Sequence, residues 1–328
     1  MDERLADLFI KAKARQVFTK EDMMYLLSQP VDSIACEQMK KVARELSSSS
    51  CKDRAYLWGA IGVDYKPCAM NCDFCSLGEA WGLVKEEYEL DDQSIIAQVK
   101  EYAQANVRWI VLRTTEFYNI AALCKKIKKV RAAVPGAYEL GLNIGELQAQ
   151  DADDLYAAGV NFMYHSLRIK EGSDTRFDPA LRKKTLQVIA DSPLDLVFLV
   201  EPVGVEHTNE EIASVYEQVI AYRAKVSGVM ARMPVEGTPL GHYPRISDER
   251  MAQIIAMTRL AGGDVVEDIC AHPASKAVMQ AGANVSVVEI GSIPRCCECM
   301  TGHKFNNYDC DTAKEWFEES GYHVCQNA

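Results

Sequence analysis

The feature that most restricts the fold is an alternation of eight short β-rich runs with amphipathic segments. The runs lie at 55–63, 108–112, 138–142, 161–164, 195–200, 228–232, 264–269 and 284–289. Segments with helical periodicity separate them at 92–104, 120–133, 147–157, 180–190, 210–222 and 248–260, and a short final helix is expected at 273–280. Each helix carries the chain back so that the next strand runs parallel to the last, and eight such units close most simply into a (βα)8 barrel. The expected architecture is therefore an α/β, TIM-type barrel at 51–292, preceded by a helical segment at 1–50 and followed by a cysteine-rich extension at 293–328. Thr19 is placed to cap a helix through Leu27, with Asp22 in its first turn and Pro30 beyond it. Thr312 is expected to open a last helix that Gly321 ends.

Composition narrows the function. With 328 residues, 48% of them hydrophobic, one large domain has ample core. A formal net charge of −11 argues against a long nucleic-acid surface, because phosphate binding needs basic patches. No apolar run reaches the ~18 residues of a membrane span. Met1-Asp2-Glu3-Arg4 reads as the start of a polar helix rather than an export signal, so a cytoplasmic protein is expected. In that setting twelve cysteines point to metal or redox chemistry rather than disulfides. Cys36, Cys51 and Cys124 stand apart and read as ordinary thiols, whereas the others gather near the front and at the end. Exposed thiolates oxidise in air, so a reducing or anaerobic environment is expected.

The front group is Cys68, Cys72 and Cys75, spaced C-x3-C-x2-C in Tyr65-Lys66-Pro67-Cys68-Ala69-Met70-Asn71-Cys72-Asp73-Phe74-Cys75. Three thiolates on one tight loop can hold three irons of a cubane and leave the fourth iron open to a small molecule. The competing reading is zinc with a distant fourth ligand, although zinc loops favour pairs of C-x2-C. In a barrel, the loop after the first strand lies on the functional face, as do all residues just beyond strand ends.

This loop resembles the cluster loop of the radical S-adenosylmethionine (SAM) superfamily. The resemblance implies a [4Fe–4S] cluster on Cys68, Cys72 and Cys75, with SAM chelated at the open iron and cleaved to a 5′-deoxyadenosyl radical. It also implies that Phe74 and the Thr115-Glu116 segment after the second strand are cofactor contacts, Glu116 meeting the SAM amino group. Ser166 and Arg168, after the fourth strand, stand in a segment that contacts SAM or substrate, although the Asn and Asp usual there are absent. Arg182 matches an arginine that binds the SAM carboxylate, a task suited to a two-pronged guanidinium. Asn143, His165 and Arg232 are assigned to substrate, with an ion pair between Arg232 and Glu201 or Glu289 as its structural alternative. Glu236-Gly237-Thr238-Pro239-Leu240 and Ala281-Gly282-Ala283-Asn284 resemble the biotin synthase branch of the superfamily. The resemblance covers roughly residues 20–290.

The chain departs from familiar members of that branch, which hold a [2Fe–2S] cluster inside the barrel on cysteines of the second, third and fifth strands. The matching positions here, Ile110 or Val111, one of 140–142, and Phe198, carry no ligand. The tail offers Cys296, Cys297, Cys299 and Cys310, with Cys270, taken to close the seventh strand and point to the mouth, as a competing ligand. Six residues span about 20 Å at most, enough to bring Cys296 over the mouth from 290. A second auxiliary cluster of 4Fe type is expected there, with an extra sulfide as in an anaerobe-type biotin synthase. The alternative is a zinc knot from Cys296, Cys299, Cys310 and Cys325.

Three readings follow. In the leading one the protein is a sulfurtransferase that inserts sulfur into dethiobiotin to give biotin, with flavodoxin or ferredoxin as electron donor. Lys125–Lys129 would form the donor's docking patch, and a homodimer is left open. In the second, a methylornithine synthase or hydrogenase cofactor maturase type of reaction uses the radical without sulfur transfer. In the third, the chain is a metal-carrying scaffold. No nucleic acid and no membrane enter any of them.

Overall fold

The computed structural model describes residues 2–289 and 309–325. Three helices lead the chain: α1 (Glu3–Lys13), α2 (Lys20–Leu27) and α3 (Ile34–Cys51). The strands are β1 (Arg54–Gly62), β2 (Asp64–Tyr65), β3 (Tyr88–Glu89), β4 (Trp109–Arg113), β5 (Glu139–Asn143), β6 (Phe162–Tyr164), β7 (Asp195–Val197), β8 (Val200–Val203), β9 (Val226–Ala231), β10 (Asp268–His272), β11 (Val285–Glu289) and β12 (His323–Val324). The later helices are α4 (Asp92–Gln104), α5 (Ile120–Ala133), α6 (Ala149–Ala158), α7 (Pro179–Ala190), α8 (Asn209–Ala221), α9 (Asp248–Ala261), α10 (Lys276–Gln280) and α11 (Cys310–Glu319).

Parallel pairing runs β1-β4-β5-β6-β7-β9-β10-β11, and β11 pairs with β1, so the sheet closes. The expected TIM-type barrel is present. Strand side chains alternate between two faces. Tyr56, Trp58 and Ala60 of β1, Trp109 and Val111 of β4, and Phe162 and Tyr164 of β6 fill the interior. Leu57, Ile61, Ile110 and Leu112, one position out of step, pack under the helices. The interior is filled tightly. A Cβ at Gly141 would lie 2.1 Å from the Phe162 ring, so β5 needs glycine there for that ring to fit.

Helix starts follow their capping chemistry. Thr19 and Asp22 form a reciprocal capping box on α2, Thr208 and Glu211 another on α8, and Pro179 stands in the first turn of α7 behind Asp178. Several sequence boundaries shift. The fifth run divides into β7 and β8. The seventh strand is Asp268–His272 rather than 264–269, because Gly263, at φ +58°, and the Gly262–Val265 turn occupy those residues. The helix expected at 273–280 starts only at Lys276. The last helix opens at Cys310 and is capped by Asp309, whose carboxylate accepts from the Thr312 N–H at 2.9 Å, so Thr312 lies inside it.

The tail completes the barrel. After β11, α11 takes the place of the eighth helix and packs on α10, β1 and β11. Then β12 pairs with the first residues of β1, His323 opposite Arg54 and Val324 opposite Ala55.

Candidate active site

The three-cysteine loop leaves β1 at the carboxyl end of the barrel and is curled by its own backbone. Asn71 takes φ +39°, its side-chain oxygen accepts from the Ala80 N–H at 2.8 Å, and the Cys75 N–H bonds to the Cys72 carbonyl at 2.9 Å. The β2–β3 hairpin brackets the loop, with Tyr65 stacked on Tyr88. The Glu-Gly-Thr-Pro-Leu motif braces it from the other side, Leu240 N–H bonding to the Asp73 carbonyl at 2.9 Å, and the loop after β6 adds a bond from Asp73 N–H to the Asp174 carbonyl at 2.8 Å. The Ala-Gly-Ala-Asn motif acts elsewhere. Asn284 accepts from Ile269 N–H and donates to Asp268 and the Arg54 carbonyl, tying together the starts of three strands.

All three thiols line one cleft of about 140 Å³, which Phe74, Arg113, Thr115, Glu116, Asn143 and Arg168 also line. Among the described residues, the trio of metal-type donors whose atoms all lie within 4.8 Å of one another is Asp174, Glu206 and His207, so the three sulfurs are spread more widely. One zinc ion with Zn–S bonds of about 2.3 Å holds its sulfurs within about 4.6 Å. A larger iron–sulfur unit takes its thiolates from wider apart, and the three thiols of this loop reach one cleft from separate positions on it. Burial pushes the Cys68 and Cys72 thiols above the usual thiol range, so a metal centre is what would keep them ionised.

Thr115 is held by a residue the sequence reading missed. Asp64, 1% exposed, accepts the Thr115 backbone N–H at 2.8 Å and also its hydroxyl. Its signal was an acid between Val63 and Tyr65, at the end of an otherwise apolar strand. Next to it, burial raises the Glu116 carboxyl to about 7 despite the opposing pull of Arg182.

The two arginines divide their tasks. Arg182 is 1% exposed and lies behind the cleft wall. It donates to Glu146 at 3.0 Å and to the Ser166 carbonyl at 3.0 Å, and lies 3.6 Å from Glu171. Arg168 faces the cleft, 3.3 Å from Glu171, and its guanidinium shares the Phe177 ring with that of Arg182. Burial works against the Arg168 charge, but Glu171 and the neighbouring anionic groups outweigh it and hold the group firmly ionised.

Other predicted residues are dispersed. Asn143 lines the cleft and donates to the Tyr164 carbonyl at 2.8 Å. Ser166 is buried, its hydroxyl accepting from Leu199 N–H. His165 is fully buried outside the cleft, 3.6 Å from Glu146, and burial together with the two arginines holds its pKa well below the usual value. Arg232 is buried in a two-pronged pair with Glu206, which replaces both expected partners, Glu201 and Glu289. His207 beside that pair accepts the Gly204 N–H on Nδ1 at 2.9 Å, which leaves the proton on Nε2 of the neutral ring and removes the lone pair a metal would need. Burial keeps that ring neutral.

Cys270 does not close its strand. His272 does, and Cys270 lies two residues earlier, fully buried in the interior layer with Trp58 and Met230. Cys310, half-buried, opens α11 against the outer core, while Cys325 packs against the interior cluster beyond β12. Cys310 is the first residue of a ten-residue helix, about 15 Å long, while Cys325 lies past its far end, its N–H bonded to the Ala55 carbonyl at the start of β1. Cys296, Cys297 and Cys299 lie outside the described residues.

No protein-family model matches the chain. It is 24% identical over 278 residues, 79% of each chain, to biotin synthase of Sulfurihydrogenibium sp. (strain YO3AOP1). Biotin synthase of Streptococcus agalactiae serotype V is 26% identical over 206 residues, 58% of this chain and 60% of that one. By sequence the chain is thus similar, at low identity, to biotin synthases. Among solved structures, methylornithine synthase superposes with a TM-score of 0.80 at 16% identity, covering 97% of both chains. HydG, a maturase of the [FeFe]-hydrogenase, gives 0.83 at 14% identity over 98% of this chain and 75% of that one. Among the described residues no helix is long and apolar enough to cross a membrane.

Proposed function

We propose that the protein uses radical SAM chemistry to remove a hydrogen atom from a small molecule held at the barrel mouth. The observation that carries this reading is the cleft that all three thiols of the loop line together with Glu116, Asn143 and Arg168. A [4Fe–4S] cluster on Cys68, Cys72 and Cys75 would supply the electron that cleaves SAM at its fourth iron. The remaining work falls to the chain's own groups. Asp64 positions Thr115 and thereby the Glu116 carboxyl, which meets the SAM amino group. Arg168, the guanidinium on the cleft wall, takes the SAM carboxylate, while Arg182 fixes Ser166, Glu146 and Glu171 from behind. Phe74 and Asn143 close the sides, and the apolar interior beneath excludes water from the radical.

Two finer readings divide on the source of sulfur. Conversion of dethiobiotin to biotin draws on the relatives' name and needs an auxiliary cluster built from Cys296, Cys297, Cys299 and Cys310. Carbon-skeleton rearrangement or maturase-type chemistry, without sulfur transfer, is favoured by the barrel interior, where among the described residues Cys270 and Cys325 are the thiols within reach and aromatic rings fill the space. Either reading needs a one-electron donor, flavodoxin or ferredoxin. Lys126 and Lys129 of the expected docking patch already pair with Asp92.

Anaerobically reconstituted protein with SAM and dithionite should release 5′-deoxyadenosine, and the Cys72→Ala variant should release none. No product from the wild-type protein would end the radical reading. Adding dethiobiotin then separates the finer readings: biotin and about eight irons per chain favour sulfur insertion, whereas about four irons and no biotin favour the second.

A further inference from the structure

The loop after β5 lies against Glu116 more closely than any residue but glycine would allow. A Cβ at Gly145 would stand 2.1 Å from the Glu116 carbonyl oxygen and 3.0 Å from its Oε1. A backbone carbonyl cannot swing aside as the end of a flexible side chain can, so one of the two loops would have to move. The φ of Gly145 lies outside the left-handed range, so close contact, not backbone conformation, is what demands glycine here. One residue further on, the Glu146 backbone N–H donates to the Glu116 carboxylate.

The same loop is held from its far side by α7. Arg182 donates to Glu146 Oε1 at 3.0 Å, and the Thr185 hydroxyl donates to Glu146 Oε2. Thr185 Oγ1 in turn accepts the Leu147 N–H at 3.2 Å. Arg182, Thr185 and Leu147 are all buried, so water does not compete for these bonds. A continuous run of contacts therefore leads from α7 through Glu146 to the acid in the cleft, which Asp64 steadies from the opposite side through Thr115. Gly145, Glu146 and Thr185 do not themselves line the cleft, so whatever they contribute there passes through Glu116.

We propose that Gly145 and Thr185 are positioning residues for cofactor recognition: they seat the Glu146 N–H against the Glu116 carboxylate and so aim that carboxylate at the amino group of SAM. This rests on the radical reading above. Hydrogen bonds to a carboxylate are directional, so an acid fixed on one side by an N–H presents its remaining lone pairs to a cation in a set direction. No bond is made or broken.

The test is a calorimetric titration of anaerobically reconstituted holoprotein with two probes, SAM and a SAM analogue lacking the amino group. Gly145→Ala, which pushes the loop off Glu116, should weaken SAM binding about tenfold or more and change binding of the analogue by less than about twofold. In a Glu116→Gln background Gly145→Ala should add no more than about twofold, because the group it acts through has lost its charge. Thr185→Val keeps the side chain's size, removes the hydroxyl that joins Glu146 to Leu147, and should weaken SAM binding about threefold while sparing the analogue. That variant carries the test if Gly145→Ala does not fold. Unchanged SAM affinity in the variants, equal losses for SAM and the analogue, or additive effects of Gly145→Ala and Glu116→Gln would overturn the proposal alone. No SAM binding by the wild-type holoprotein would instead overturn the radical reading, and this proposal with it.

Discussion

The strongest local prediction concerns Asp64. Its carboxylate accepts both the backbone N–H and the hydroxyl of Thr115, and it is 1% exposed, so water does not replace it when it is removed. Hydrogen bonds to a charged group contribute about 1.5–3 kcal/mol each, and Asp64→Ala loses two, a destabilisation of about 3–6 kcal/mol. For a chain of this length that lowers the melting temperature by about 6–12 °C, taking roughly 2 °C per kcal/mol. Thr115→Val deletes the hydroxyl bond and keeps the N–H bond, so it should cost about half as much. The double variant should be no worse than Asp64→Ala, because both changes remove the same contact. Chemical unfolding of the three variants measures stability, and SAM titration of the reconstituted proteins measures function. SAM affinity should fall with Asp64→Ala because Thr115 and Glu116 lose their anchor. A loss below about 1 kcal/mol with unchanged SAM affinity, or strictly additive variants, would refute the reasoning.

Further outcomes follow from the same contacts. Arg168→Ala should weaken SAM binding about tenfold or more, whereas Arg182→Ala, which strands Glu146, should act chiefly on the fold and destabilise it by about 3–5 kcal/mol; SAM titration and urea unfolding of both variants check the contrast. Gly141→Ala forces a methyl to within 2.1 Å of Phe162 and should cost about 1–3 kcal/mol or more, read as a lower melting temperature. The His165 pKa is depressed in the fold, so below about pH 6.5 the unfolded chain binds its proton first and stability drops as pH falls. His165→Asn should flatten that slope by about 1.4 kcal/mol per pH unit between pH 6 and 5, measured by urea unfolding across the range.

The barrel was legible because periodicity reports it directly: interior and exterior residues of β1 and β4 alternate, and α4 and α5 match the expected spans to the residue. The three-cysteine loop could be read as one unit because its residues are close in sequence, and the structure brings all three thiols to one cleft. What the sequence hid was paired across distance. Arg182 and Arg168 look equally able to grip a carboxylate, and only the third dimension shows one committed to Glu146 while the other faces the cleft. Arg232 was placed in the interior, yet its partner Glu206 comes from the loop after β8, which no spacing rule connects to it. Cys270 was misjudged by two residues of strand length, enough to move a thiol from the expected strand end into the barrel's interior layer. Asp64 was overlooked because its partner, Thr115, lies 51 residues away.

The central claim is that Cys68, Cys72 and Cys75 hold a cubane whose remaining iron is open to SAM. Mössbauer spectroscopy of ⁵⁷Fe-reconstituted, oxygen-free protein, with and without SAM, tests it most directly. The account predicts a four-iron cluster, lost in the Cys72→Ala variant, in which one iron alone changes its isomer shift when SAM is added. A spectrum with no four-iron cluster, or one in which SAM alters no iron, would contradict it.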